Sequence, residues 1–372
     1  MKFDAGILKD DEKVIFELRE LYHKYGYSQY KMSKFEEYDL YAQNKDFLIA
    51  DSVITFTDTN GKLMALKPDV TLSIVRNSRD GGGSVQKVYY HENVYRVSKS
   101  TGATKEIPQV GIECLGAVGD YDIFETLLLA MQSLRCISDT CKLDISHLDI
   151  LSEMIGRLQL PESVTERLLK CVEQKNPHEL EKICAESGAE RKAVESLKRL
   201  LLTDGAPSEV LPVLEQLQCS TKAVAQLRSA VAILEANGFR DCINIDFSLV
   251  SDRNYYNGIA FKGFVSGIPT SVLSGGQYDN LMKRMGRTSR AIGFAVYLDQ
   301  LERLSDDQVG DDADVLLLYD ESADPAALCR AVQQWISLGL QVSAQKAIPE
   351  KFRYKQLVRF SGSEVEKLEN NT

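Results

Sequence analysis

Three short segments of the chain hold side chains able to grip a small polar molecule. LKPDVT places Asp69 two residues before Thr71, PQVGIE places Gln109 four residues before Glu113, and NYYNG sets Tyr255 beside Tyr256. On a strand, side chains alternate between faces, so Gln109 and Glu113 share one. Carboxylates, amides and hydroxyls accept from an ammonium group. A carboxylate or phenol partners a weakly basic ring, and a cation such as Arg96 faces a carboxylate. A zwitterionic amino acid with a weakly basic side chain would use all of these at once. Taken singly, each residue reads more readily as a solvated acid or a core tyrosine. Ser274, Gly275 and Gly276 read as small-residue backbone on a pocket floor, where a ligand could approach closely. The triplet Gly81–Gly82–Gly83 precedes no helix, so it reads as a hairpin tip and not a phosphate cradle.

Metal and cofactor chemistry finds little support. The eight cysteines (114, 136, 141, 171, 184, 219, 242 and 329) never form CxxC, and the four histidines (His23, His91, His147, His178) stand apart. Reduced, mostly buried thiols and no metal or cofactor are the expectation.

The elements that must position these residues follow from periodicity. Val14, Ile15, Leu18, Leu21, Tyr22 and Tyr25 line one face of a helix that Gly26 ends. Short strands flank a turn at 58–61, and residues 85–97 and 109–116 read as strands joined by the polar loop SKSTGATKEIP. A helix spans about 121–137. From about 148 to 238 apolar positions recur at three and four and strand signals vanish, which predicts an all-helical insertion. Strand texture returns in INIDFSLVSDRNYYNGIAFKGFV and TSVLSGG, with helices in QYDNLMKRMG and GFAVYLDQLERL. After the acidic linker SDDQVGDDAD come a strand (ADVLLLY), a short strand (LQVSAQ) and, between them, a helix. Asp324 caps that helix, and Leu328, Val332, Trp335 and Ile336 form its apolar face. The expected fold is α+β with an antiparallel sheet. Its units are a core of 1–147 and 239–308, the insertion 148–238, and a small α/β unit 311–372.

Composition narrows the function. Lys and Arg number 44 against 54 Asp and Glu, a net charge of −10, within an ordinary globular profile of 44% hydrophobic and 26% charged residues. That balance disfavours a general nucleic-acid coat or a polybasic membrane binder. No apolar run approaches 18 residues, and acids stand where a signal peptide needs an apolar stretch, so the expectation is a cytoplasmic, non-membrane protein.

The segments LKPDVT, YYHENVYRV…PQVGIE, NYYNGIAFKGF, SGGQYDNL and AIGFAVYLDQL occur in the order and spacing of the histidyl-tRNA synthetase catalytic core, which the chain resembles over about residues 10–305. SDRNYYNGIAFKGFVSGIP with VLSGGQYDNLMKRMG looks closer still to the catalytically silent relatives, the regulatory subunits of ATP phosphoribosyltransferase. The resemblance implies a class II synthetase-like fold. It assigns Asp69, Thr71 and Gln109 to the α-ammonium of histidine, and Glu113 with Tyr255 and Tyr256 to the imidazole. Arg96 keeps the motif 2 arginine.

The departures fall on the nucleotide side. Ser98 stands where the family usually reads adenine with Glu. The pattern LVRGLDYY becomes LVSDRNYY, which puts Ser251 at the catalytic arginine, with Arg253 roughly 6–7 Å along the strand. Gln300 replaces the arginine that clamps the triphosphate, and Ser33 the first-motif proline. Losing one such donor costs about 10²–10³ in rate, so adenylation is expected to be lost. The residues after the linker, 311–372, carry seven basic against ten acidic side chains. The unit is shorter than an anticodon-binding domain and a poor platform for RNA, so tRNA is not an expected partner. The basic, aromatic stretch KFRYKQLVRF reads as a solvated amphipathic edge. The resemblance therefore implies a histidine-sensing regulatory subunit, homodimeric through its core, that a short-form catalytic subunit requires for activity. The alternative is a divergent histidyl-tRNA synthetase or related aminoacyl ligase.

Overall fold

The computed structural model describes residues 8–44, 53–78, 83–98, 101–249, 255–303, 311–361 and 364–370. They form two compact units, Met1–Leu304 and Ser305–Thr372.

The first unit opens with α1 (Asp10–Lys24), whose Leu18 and Tyr22 are fully buried, and Gly26 leaves it at φ +81°. There follow β1 (Ser28–Gln29), β2 (Phe35–Glu37), α2 (Tyr38–Ala42), β3 (Thr55–Thr57), β4 (Leu63–Leu66), α3 (Thr71–Asn77), β5 (Val85–Val97), β6 (Thr104–Gly116) and α4 (Asp120–Ile137). The turn between β3 and β4 is held by the Asp58 carboxylate, which accepts from the Asn60 and Lys62 amides at 2.8 Å. β6 begins five residues earlier than its sequence suggests. Its polar start pairs in register with β5 (Val97↔Thr104), and Glu106 accepts from Asn93 and Tyr95 across the hairpin. Exposed polar pairs extend a hairpin as well as apolar ones do. Of the glycine triplet, Gly83 alone lies within the described residues.

β7 (Cys141–His147) leads into α5 (Leu148–Gly156), α6 (Glu162–Glu173), α7 (Pro177–Glu186), α8 (Arg191–Leu201), the two-residue β8 (Asp204–Gly205), α9 (Pro207–Gln216) and α10 (Thr221–Ala236). The region is helical except at β8, which pairs with β9. Most of its leucines, with Cys171, Cys184 and Cys219, belong to the same apolar cluster as the back of the main sheet.

The chain returns through β9 (Ile243–Asp246), β10 (Asn257–Val265), β11 (Leu273–Gln277), α11 (Asp279–Arg284) and β12 (Arg290–Tyr297). GFAVY, read from sequence as helix, is strand. Ile292, Phe294 and Val296 alternate with Gly293, Ala295 and Tyr297, a period of two, and a 3₁₀ turn (Leu298–Arg303) follows only afterwards. The nine-stranded sheet runs β1-β5-β6-β12-β11-β10-β7-β9-β8, antiparallel except at β1–β5 and β7–β9. A three-stranded sheet, β2-β4-β3, stands apart from it.

The main sheet has an apolar cluster on each face. Behind it lie α1, α4 and the helical region; in front lie residues of α2, α3 and α11.

The second unit contains β13 (Ala313–Tyr319), α12 (Pro325–Ser337), β14 (Val342–Gln345), β15 (Tyr354–Ser361) and β16 (Glu364–Asn370), in the order β14-β13-β15-β16. Asp324 caps α12 by accepting from the Ala326 and Ala327 amides. Leu328, Val332 and Trp335 pack on the sheet. Ile336, expected on the same face, is left 49% exposed at the last turn. Within KFRYKQLVRF, Phe360 is core and Lys355 pairs with Asp314 at 2.6 Å.

Candidate functional site

β5, β6, β12 and β11 are neighbours, and their registers bring one face of each together. Gly111 of β6 lies opposite Tyr90 of β5 and Ala295 of β12; Glu113 lies opposite Gly293; Gln109 lies opposite Tyr297. Ser274 and Gly276 of β11 continue that face beside Ala295 and Gly293. The start of α3 and the turn before it add Asp69, Val70 and Thr71. Together these strands and the start of α3 line a narrow cleft with Arg96, Tyr255, Tyr256, Tyr278 and Tyr297.

Glu113 is the centre of the polar network. It is 2% exposed, and both carboxylate oxygens accept hydrogen bonds: one from the Thr71 hydroxyl at 2.6 Å, the other from the Tyr278 hydroxyl at 2.6 Å. Each oxygen has a second lone pair, so acceptor capacity remains for a ligand. Burial pushes the carboxyl up to about 8, against the two hydroxyls that favour its charged form and with a smaller push from Asp69. Asp69 accepts from the Leu72 amide at 2.9 Å; burial raises its pKa, and the Leu72 amide and the nearby Arg96 charge oppose that. Arg96 donates from Nε to the Pro68 carbonyl at 3.2 Å, which fixes its stem. It is the only guanidinium among the described residues lining the cleft. Tyr255 stacks edge-on against Tyr256 at 4.9 Å and tilts toward Tyr278 at 6.0 Å. Beneath the rim, Lys67 is fully buried and holds Glu92 at 2.9 Å.

Of the residues singled out from sequence, Asp69, Thr71, Arg96, Gln109, Glu113, Tyr255, Tyr256 and Ser274 converge on this cleft. Gly275 does not serve as its floor. It has the opposite parity, and a Cβ there would meet Phe294, the Gly293 carbonyl and Phe261 at 2.4–2.7 Å, so its smallness lets the back-face aromatics close up. Gly276 faces the front, but what it admits is the ring of Tyr256, 2.9 Å from a hypothetical Cβ. Ser251 and Arg253 lie outside the described residues. Gln300 is held by Thr270 and Asp299, each at 2.9 Å. Ser98 sits in the tight turn after β5, and the Ser33 hydroxyl accepts from the Phe35 amide at 3.1 Å.

A family model described as Histidyl-tRNA synthetase matches residues 8–301. The ATP phosphoribosyltransferase regulatory subunit of Caldanaerobacter subterraneus subsp. tengcongensis is 30% identical over 290 residues, 76% of this chain and 75% of that one. The chain belongs to the family of ATP phosphoribosyltransferase regulatory subunits, on the histidyl-tRNA synthetase fold. A second member, from Clostridium kluyveri, is 29% identical over 332 residues and 84% of each chain. Among solved structures, an ATP phosphoribosyltransferase regulatory subunit/histidyl-tRNA synthetase from Bacillus halodurans superposes with a TM-score of 0.77 at 20% identity, covering 97% of this chain and 100% of that one. The histidyl-tRNA synthetase of Nostoc sp. PCC 7120 gives 0.72 at 16% identity over 99% and 96%. A chain of the HisG:HisZ complex of Thermotoga maritima gives 0.63 at 20% identity over 77% and 97%. These likenesses establish the α+β, class II synthetase-like fold of the regulatory-subunit family for this chain.

Seven lining residues escape a reading of the segments, Tyr90, Tyr278, Gly293 and Tyr297 among them. Tyr90 shares strand parity with Arg96, a signal the sequence does carry. Tyr278 ends SGGQY and reaches back 165 residues to Glu113. Tyr297 and Gly293 depend on the pairing of β12 with β6. A Cβ at position 293 would sit 1.8 Å from Glu113 Oε2, so this regulatory-subunit family member makes room for its buried acid with a missing side chain across the ladder.

Proposed function

We propose that the chain is the histidine-sensing, non-catalytic subunit of an ATP phosphoribosyltransferase, required by a short-form catalytic subunit and conveying feedback inhibition by histidine. The observation that carries this reading is Glu113: a buried acid with both oxygens oriented by hydroxyls, in a cleft that also holds Asp69, Gln109 and the Arg96 guanidinium. Its carboxyl, pushed up to about 8, retains its proton at neutral pH. The free imidazole of histidine, with a pKa of ~6.5, is mostly neutral there. The pair then shares one proton and is accommodated without burying an uncompensated charge. Asp69 and Gln109 supply acceptors for the α-ammonium, and Arg96 supplies a cation for the carboxylate. Activation is another matter: among the described residues the cleft holds one guanidinium, already tied to Pro68, a poor substitute for the several cationic clamps that adenylate formation uses. With adenylation absent, histidine binding has a use only through different affinities for two states of an assembly, which is feedback by linkage. The active assembly in this reading is cytoplasmic and includes a homodimer of the core.

Isothermal titration with L-histidine, on the chain alone and with a short-form catalytic subunit, tests the proposal. Saturable binding that accompanies inhibition of phosphoribosyl transfer is the expected result; no binding at millimolar histidine in either setting overturns it. Histidine-dependent ATP–pyrophosphate exchange would instead mark an aminoacyl ligase, and none is expected.

A further inference from the structure

Two thiols meet where the helical segment joins the main sheet. Cys141 opens β7, and Cys242 ends the turn that enters β9; these strands run parallel with Leu143 opposite Ile243. Adjacent strands lie ~4.8 Å apart and a one-residue stagger adds ~3.3 Å along them, so the two Cα atoms are roughly 6 Å apart, within the span a disulfide bridges. Both side chains belong to the same buried cluster, and the two thiols lie close enough to influence each other. They are 6% and 7% exposed, shielded but not sealed. From the end of α4, Arg135 places Nη2 3.4 Å from Cys242 Sγ while Nη1 is anchored on the Asp139 carbonyl at 2.7 Å. A fixed guanidinium thus stands at the sulfur of one member of the thiol pair, placed to donate to an oxygen that sulfur gains.

We propose that Cys141 and Cys242 form a reversible oxidation site, at which a hydroperoxide such as hydrogen peroxide drives a disulfide that clasps the two roots of the helical segment. The Cys242 thiolate attacks one peroxide oxygen, and the O–O bond breaks. Cys242 becomes a sulfenic acid, and the departing hydroxide takes up the proton lost by the thiol and leaves as water. The Cys141 sulfur then attacks the sulfenic sulfur, and the S–O bond breaks. The second hydroxide takes the Cys141 proton, giving a second water and the disulfide. Two thiols thus supply the two electrons that reduce one peroxide bond. Burial holds the Cys141 thiol up at about 11, which suits it to the second, proton-releasing step and not the first attack. The bond closes a loop that contains α5 through α10, so it restricts the unfolded chain far more than the folded one.

The test uses the full-length protein carrying Cys329→Ser, which removes the exposed cysteine as a source of intermolecular links. After treatment with a few equivalents of hydrogen peroxide, free thiols are alkylated and the chain is digested without reduction. A dominant Cys141–Cys242 linked peptide is expected, with a rise in the thermal midpoint of ~5 °C that dithiothreitol reverses. Arg135→Gln should slow formation about 10-fold and leave the end product unchanged. A link between Cys171 and Cys184, which also lie near each other, would overturn the proposal. So would sulfinic acid without a link, or an unmoved midpoint in the linked protein.

Discussion

β6 and β12 each present two different surfaces. On the back, Val110, Ile112 and Cys114 interleave with Ile292, Phe294 and Val296, all nearly inaccessible, and edge-on aromatic contacts of Phe294 with Tyr22 and Phe261 extend the packing. On the front, in the same residues' gaps, stand Gln109, Gly111 and Glu113 against Gly293, Ala295 and Tyr297. The back face is filled by volume. The front face is built by subtraction: Gly111 admits the Tyr90 hydroxyl, 2.5 Å from a hypothetical Cβ, and Gly293 admits Glu113. A buried carboxyl is tolerated because neighbouring side chains were removed and hydroxyls were aimed at what remained. The lesson is that a site can share a strand with a core yet answer to different rules one residue apart.

The largest effect should come from the front. Glu113→Ala removes the proposed imidazole partner, and a hydrogen bond to a charged or proton-sharing group is worth about 1.5–3 kcal/mol, or roughly 10- to 150-fold in affinity. Titration should show histidine affinity falling by that much while the chain stays folded by circular dichroism. Unchanged affinity would move the imidazole site elsewhere. Gly293→Ala tests the subtraction itself. Its Cβ would also lie 2.4 Å from the Ile112 carbonyl, so strain of about 1–3 kcal/mol is expected, shared between a lower thermal midpoint and histidine binding weakened about 10-fold. A silent Gly293→Ala would mean the ladder gives more easily than its spacing indicates.

How much of this contrast was legible before the structure depends on range. The parity of Gln109 and Glu113 is local, as are the N-cap at Asp324 and the apolar stripe of α1, and each is written in a few consecutive residues. Tyr278 and Gly293 are not local. Their place at Glu113 follows from β6 lying beside β12 and β12 beside β11, which no single stretch of sequence encodes. The misreading of Gly275 is of a third kind. Three small residues in a row suggest one function, but a strand sends them to alternate faces, and only Ser274 and Gly276 point forward. The misread helix at GFAVY has the same root, since its alternation was short and led into a real turn.

The same comparison can be sharpened from behind. Ile112 is fully buried between the two residues that flank it on the front. Ile112→Val deletes one methylene from the back face and should cost about 0.5–1.5 kcal/mol in denaturant unfolding, with the histidine affinity of the folded protein within twofold of the parent. A matching loss of affinity would show that the two faces are mechanically coupled through β6, against the independence argued above.

The last test reads a slope. In the folded chain burial pushes Glu113 up to about 8, from the ordinary carboxylate value of 4.5. Between those pH values the folded state holds a proton that the unfolded state has released. Unfolding therefore releases that proton, and stability attributable to this group falls as pH rises from about 4.5 to about 8, by at most ~1.4 kcal/mol per unit. Glu113→Gln removes the titration and should flatten that contribution, so variant and parent diverge most at the alkaline end, with the variant the more stable. Ile112→Val, on the other face of the strand, should run parallel to the parent across the range. Denaturant midpoints at pH 5.5, 7 and 8.5 measure both differences. A Glu113→Gln curve that stays parallel to the parent would mean the buried acid is ionised throughout, held so by Thr71 and Tyr278, and that a histidine imidazole would have to arrive already protonated.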